Sequence, residues 1–354
     1  MKTKHKSRLH ANNFDLLRLL FAGTVCLVHA AQLSQFEELR WIERFLSSEI
    51  AVKAFFVVSG FLIFMSYERS QSIRSYAAKR IRRIYPAYFF VVVLCAFGLA
   101  CVTSKNLSDY FSIAWIKYSA SNLVFLNFLQ PTLPGVFEKN HVVAVNGALW
   151  TLKIEVMFYL SVPLFAYLFR RLSTLSVLTT TYLLSVAYTY WMHSLASRTG
   201  NPIYVELARQ LPGQLCYFVA GAFYYYYLPL LEKNPGKLLL ASALTLAVNA
   251  VHPLLFAEPL ALATLVSVCA LFGHVGNFGK YGDFSYGVYI THFPLIQFLL
   301  TTSILVGRPW EFLTLVISLT GISAITLWHL VEKRFLLRGS HYIEPSLLNK
   351  ASGL

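Results

Sequence analysis

The sequence predicts an all-α, polytopic integral membrane protein with about ten transmembrane helices and both termini in the cytoplasm. Three observations predict it. Of 354 residues, 56% are hydrophobic and only 13% charged, whereas soluble domains are about a quarter charged. Apolar runs long enough to cross about 30 Å of hydrocarbon recur along the whole chain. Lys and Arg concentrate in alternate loops, which sets one orientation throughout.

The first run, Phe14–Leu33, follows Lys2, Lys4, Lys6 and Arg8, so it starts in the cytoplasm. The next loop carries Glu37, Glu38, Glu43 and Glu49 against Arg40 and Arg44, which marks it as external. Ile50–Tyr67 returns to a cytoplasmic loop holding Arg69, Arg74, Lys79, Arg80, Arg82 and Arg83. Tyr85–Val102 leads to the one long loop, Thr103 to Ala148. Its apolar piece Phe111–Leu129 contains Lys117, Asn122 and Asn127 and reads as interfacial or re-entrant. Leu149–Phe169 ends at Arg170 and Arg171, back inside. Leu172–Met192, Leu207–Leu228, Lys237–Val251 and Phe256–His274 follow, the last two split by Pro253. Phe284–Leu305 and Pro309–Val331 complete the set, and Lys333, Arg334 and Arg338 come after them. This divides the chain into a basic cytoplasmic N-terminus (1–13), a membrane domain (14–335) and a cytoplasmic tail (336–354). Tyr224–Tyr227 reads as part of an aromatic belt at the inner interface.

The net charge of +14 does not indicate nucleic acid, because the basic residues sit in short gaps between apolar runs, where they act as topology signals. The five cysteines, Cys26, Cys95, Cys101, Cys216 and Cys269, lie within apolar runs with no paired spacing and no metal-ligand pattern, so no metal is expected. Lys2–Arg8, Leu19–Val28 and Val28-His29-Ala30 also fit a cleavable signal peptide. Asp15 and Arg18 before the apolar stretch, and the even helix count with a basic tail inside, favour retention.

His29 opens the question of chemistry. An ionisable side chain at membrane depth is costly unless it faces protein or water. Neutral imidazole can take a proton from a hydroxyl and return it to a leaving group. Arg18 lies eleven residues earlier (29 minus 18), close to three helical turns, so the two share a face about 16 Å apart along the axis. Arg80 and Arg83 share a face if their segment is helical, and guanidinium forks suit phosphate; the plain alternative is a positive-inside anchor. Tyr85-Pro86 then reads as a helix start.

The stretch Asn146-Gly147-Ala148-Leu149-Trp150-Thr151-Leu152-Lys153-Ile154-Glu155 places Glu155 about a turn and a half inside the fourth run. Its carboxylate forms a structural ion pair, orients an imidazole or binds sugar hydroxyls. In Ser285-Tyr286-Gly287-Val288-Tyr289-Ile290-Thr291-His292-Phe293-Pro294, Tyr289 and His292 share a face, and Pro294 frees a carbonyl one turn earlier, which neighbouring protein or water must satisfy. Ser59-Gly60-Phe61 reads as close helix approach rather than a nucleophile.

At these residues the chain resembles the acyltransferase-3 family of membrane acyltransferases that modify bacterial surface sugars and other acceptors. The resemblance rests on Arg18 and His29 with ten residues between, Phe55-Phe56-Val57-Val58-Ser59-Gly60-Phe61, Arg80-x-x-Arg83 with Tyr85-Pro86, the Asn146–Glu155 stretch, and Ser285-Tyr286-x-x-Tyr289 leading to His292-x-Pro294. Leu19 follows Arg18 where the family often has Gly. The family's frequent periplasmic esterase-like domain is not expected here. The resemblance implies His29 as catalytic base, Arg18, Arg80 and Arg83 at the donor site, acyl-CoA (most often acetyl-CoA) entering from the cytoplasm as co-substrate, and a hydroxyl acceptor at the outer face.

The resulting expectation is an O-acyltransferase of the bacterial inner membrane. It moves acetyl from acetyl-CoA to a sugar hydroxyl of a surface glycan or its lipid-linked precursor, such as that of a lipopolysaccharide, with membrane lipids around it. His29 is the base and Glu155 orients it or the acceptor. Ser59, Trp150, Tyr289 and His292 are candidates for acceptor contact or support. The rival class is a transporter or flippase of a sugar-linked or acidic lipid, which midplane charge and proline-interrupted helices also fit.

Overall fold

The computed structural model describes residues 9, 12–276 and 278–337. Most of the basic N-terminal stretch, and the tail from residue 338 onward, lie outside the described residues. Within them the chain is helical, with no strand.

Ten α-helices of fourteen residues or more coincide with the ten apolar runs: α1 Phe14–Ser34, α2 Ser48–Glu68, α3 Ile73–Gly98, α4 Trp150–Arg171, α5 Thr174–Thr199, α6 Leu211–Tyr226, α7 Pro235–Val251, α8 Glu258–Leu271, α9 Ser285–Thr302 and α10 Pro309–Leu327. Among the described residues, five segments are long and apolar enough to cross a membrane by themselves: Phe14–Ser34, Glu37–Glu68, Ile73–Cys101, Gly147–Arg171 and Pro309–Phe335. The 21 residues of α1 rise about 31 Å, the thickness of a hydrocarbon core. Local signals set several ends. Ser173 caps α5 by accepting from the Ser176 amide at 3.0 Å, and Gly200 closes it in the left-handed conformation.

One boundary differs from the sequence reading. Pro86 does not start a helix; α3 begins at Ile73 and carries Pro86 in its interior. The helix tolerates it because the carbonyl it orphans belongs to exposed Arg82. Arg80 and Arg83 are therefore helical and share a face, the condition on which their pairing depended.

The chain forms two compact units, each assembled from separate stretches of sequence. Unit 1 comprises residues up to Leu17, Val52–Ala77 and Ile154–Asn277. Here α6 packs on α5 and α8, and α7 on α8. Gly60 of α2 lies against the Phe218 carbonyl of α6, and Gly221 against the Val57 carbonyl, so a methyl at either would strike backbone. That close approach bears out the packing reading of Ser59-Gly60-Phe61. Stacked Phe158 and Phe218, with centroids 4.2 Å apart, fill the core beside it. Lys53 of α2 and Glu258 of α8 pair at 2.7 Å, and the Tyr217 hydroxyl donates to the same carboxylate oxygen at 3.0 Å.

Unit 2 comprises Arg18–Ala51, Ala78–Lys153 and the chain from Phe278. It holds most of α1 and α3, the long loop, α9 and α10. The loop is ordered on α3. The Trp115 indole and the Tyr110 hydroxyl both donate to the Ala96 carbonyl, at 2.6 and 2.8 Å, one of the last carbonyls of α3, where the helix offers no further partner. Helix Ile113–Leu123 has 11 residues and rises about 16 Å, too short to cross a hydrocarbon core.

Candidate active site

Two contacts pin α1 to α9 within unit 2, and they occur at two depths. Arg18, in the first turns of α1, bonds Asp283, just before α9. Farther along both helices, Nδ1 of His29 lies 2.8 Å from Nε2 of His292. The pins are eleven residues apart on α1 and nine on α9 (292 minus 283), so the two helices run in the same direction. First and ninth runs must do so if the seven runs between them all cross.

The histidine tier is built from apolar and neutral polar groups. His292 has no exposed surface, while His29 is half-buried. Nδ1 of His292 lies 3.1 Å from the Val288 carbonyl one turn back. The two imidazole planes lie 19° apart with centroids at 5.1 Å, and the Phe293 ring meets His29 edge-on at 5.5 Å. Tyr289 lies beside His292, with its hydroxyl 2.7 Å from that of Thr151.

A strap of loop, residues 140–151, holds α9 in this position. Pro294 has no amide hydrogen, so the Ile290 carbonyl lacks its helical donor. The Asn146 side-chain amide supplies one at 2.9 Å. Gly147 leaves room for the Phe293 ring, which a methyl there would overlap. The Gln297 amide, fully buried on α9, donates to the Val142 and Ala144 carbonyls and accepts from Asn140 at 3.0 Å. The Asn146–Glu155 stretch thus begins as a clamp on the histidine helix.

The charged tier gathers residues from four elements. Arg18 and Arg83 both bond one oxygen of Asp283, and the other guanidinium nitrogen of Arg83 lies 3.4 Å from Glu332. Ser285 donates to the second Asp283 oxygen through its amide, at 3.1 Å, and its hydroxyl. Asp283 precedes the spanning part of α9 and is almost wholly enclosed. Burial alone would raise its carboxyl pKa; the Arg18 and Arg83 guanidiniums and the Ser285 donors outweigh burial and hold it below the usual carboxylate range. Glu332 sits in a π-helical turn, Trp328–Glu332, that ends α10.

The structure therefore brings together Arg18 with Arg83, and His29 with His292 and Tyr289. Arg80 is half-buried one turn before Arg83. Trp150 is half-buried at the start of α4. The Ser59 hydroxyl has no partner among the described residues. The Glu155 carboxylate accepts from the Tyr159 hydroxyl one turn on, at 2.6 Å, and the ring within hydrogen-bond distance of His29 is that of His292. Sequence reasoning misses Asp283, Glu332 and Gln297. A signal for the first two existed, because arginines at one membrane depth need counter-charges and these acids border the ninth and tenth runs.

An acyltransferase-domain family matches residues 12–328, nearly the whole chain. Nodulation protein 10 of Rhizobium leguminosarum bv. viciae is 26% identical over 347 residues, covering 92% of this chain and 93% of that protein. An O-acetyl transferase of Shigella phage Sf6 is 29% identical over 351 residues, covering 95% and 98%. Acyltransferase MdmB of Streptomyces mycarofaciens is 29% identical over 127 residues, covering 35% and 30%. No solved structure matches.

Proposed function

The chain belongs to the acyltransferase-3 family and is a membrane O-acyltransferase, and from that premise we propose that it carries acetyl from cytoplasmic acetyl-CoA to a sugar hydroxyl of a surface glycan or its lipid-linked precursor, in a bacterial inner membrane. The observation that carries this reading is the pairing of half-buried His29 with His292 on the same two helices that join Arg18 to Asp283.

The residues divide the work by depth. Arg18, Arg83 and Arg80 hold the coenzyme phosphates. Asp283 fixes the orientation of two guanidiniums, whose planar forks suit phosphate oxygens. The pantetheine arm spans the roughly 16 Å to His29. There His29 removes the proton from the acceptor hydroxyl as its oxygen attacks the thioester carbonyl carbon. The carbon–sulfur bond breaks, the coenzyme leaves as thiolate, and His29 returns the proton to sulfur. The products are the acetyl ester and free coenzyme A. The O-acetyl transferase relative supports both the acetyl group and an oxygen acceptor. General-base help of this kind contributes roughly 100- to 10,000-fold.

Membranes carrying the protein, supplied with radiolabelled acetyl-CoA, test it. His29→Ala and His29→Gln are expected to abolish label transfer to the glycan fraction while keeping the wild-type melting temperature. Near-normal transfer by either folded variant rules His29 out as the base.

A further inference from the structure

A histidine that serves as a base must present a nitrogen without a proton. Each neutral imidazole has one protonated and one bare nitrogen, and its hydrogen bonds decide which is which. The contacts around His29 and His292 leave a single consistent assignment. It starts at the Val288 carbonyl, which can only accept. Nδ1 of His292, 3.1 Å from it, therefore carries the proton, and the Nε2 of neutral His292 is bare. That bare nitrogen faces Nδ1 of His29 at 2.8 Å. Two bare nitrogens do not approach so closely, so Nδ1 of His29 holds the proton and donates.

We propose that His292 is a positioning residue that sets the tautomer of His29, keeping its proton on Nδ1 and leaving Nε2 as the nitrogen that meets the acceptor hydroxyl. The inference rests on the reading of His29 as the base. The alternative assignment puts a second proton on His292. That would place a cation at a position with no exposed surface and no carboxylate contact among the described residues, which is costly. It would also turn the His292 nitrogen into a donor, force the His29 proton onto Nε2 and abolish the base.

The surroundings are built to keep this register. The donor to Val288 must stay one helical turn from its acceptor, so α9 must remain regular there despite Pro294. Asn146 provides this by bonding the Ile290 carbonyl at 2.9 Å. The two rings meet edge to edge in nearly one plane, 19° apart, so the His29 N–H lies close to the plane of the nitrogen it meets. When His29 takes the acceptor proton on Nε2, its Nδ1–H is already directed at His292, so the positive charge forms against a waiting acceptor rather than apolar surroundings.

Two isosteric substitutions separate tautomer control from packing. The Gln side-chain oxygen reaches the place of Nε2 and can accept from His29. The Asn amide nitrogen takes the place of Nδ1 and can donate only to Val288. In the acetyl-CoA transfer assay on membranes, His292→Gln is expected to retain most of kcat. His292→Asn is expected to lose roughly 100-fold or more, with KM for acetyl-CoA unchanged in both. Equal rates, or Asn above Gln, in variants with wild-type melting temperature overturn the proposal, since a packing role needs only the Val288 bond. If His29→Ala itself transfers acetyl, the base reading fails instead, and the two failures are told apart. A measurement on the unsubstituted protein stands independent of folding in the variants. In membranes with nitrogen-15 labelled histidine, the ring signals lost on His29→Gln should include an Nδ1-protonated neutral imidazole. An Nε2-protonated ring at His29 overturns the assignment.

Discussion

Replacing Asp283 with Asn removes the one charge that Arg18 and Arg83 share while leaving the volume almost unchanged. Both guanidiniums touch the same oxygen, so their nearest nitrogens lie within roughly 5 Å of each other. Two unit charges at that separation, at an effective dielectric of about 20, repel by about 3 kcal/mol (332 divided by 20 and by 5). Breaking a buried ion pair by removing one partner costs about 3–5 kcal/mol by measurement, so the two figures agree. The assay is thermal melting in detergent, read by a thiol-reactive dye that reports exposure of buried Cys26, Cys95 and Cys216. Asp283→Asn is expected to melt several degrees below the unsubstituted protein. Arg18→Gln added to it removes the repulsion and should recover part of the loss, giving a coupling well outside additivity. The same group sets an acid limb. Its folded pKa lies below its unfolded value, so its stabilisation is present above the usual carboxylate pKa and disappears as pH falls through the lower, folded one. Asp283→Asn should flatten that limb. A variant that melts with the parent at neutral pH, or a double variant with simply additive losses, would refute the argument that the carboxylate holds these cations together.

Asn146→Ala should cost about 1–3 kcal/mol by leaving the Ile290 carbonyl unpaired. Pro294→Ala returns an amide donor to that carbonyl, so the double variant should melt above Asn146→Ala alone; no recovery would show that the clamp has another purpose. Gly147→Val places side-chain atoms where the Phe293 ring lies and shifts that ring from the edge of His29, so kcat should fall while KM for acetyl-CoA holds. In unit 1, Glu258→Gln removes the carboxylate charge that pairs with the Lys53 ammonium and should lower the melting temperature by an amount comparable to Asp283→Asn. An unchanged melt would mean that Lys53 finds water or another partner in the parent.

Much of the site's content is legible along the chain because membranes penalise polar side chains so heavily. His29, Arg18, Tyr289 and His292 stand out against Leu, Val and Phe, and helical spacing puts each on a defined face. What the chain conceals is partnership. Glu155 is a carboxylate well inside an apolar run, yet its hydroxyl partner is four residues away on its own helix. The group on His29 comes from 263 residues later. The start of α3 differs from the sequence reading for a related reason: proline's preference for first turns is local, whereas the exposure of Arg82, whose carbonyl Pro86 orphans, is decided by packing.

The apolar runs and the charge of the loops between them were enough to establish an all-helical membrane frame, since twenty-odd residues without charge have few other stable environments. Which helices adjoin, and at what register, no periodicity specifies. Only the folded arrangement puts Asp283 between Arg18 and Arg83 and a second imidazole against His29, because a hydrogen bond demands a few ångströms and one orientation, and distance along a chain carries neither.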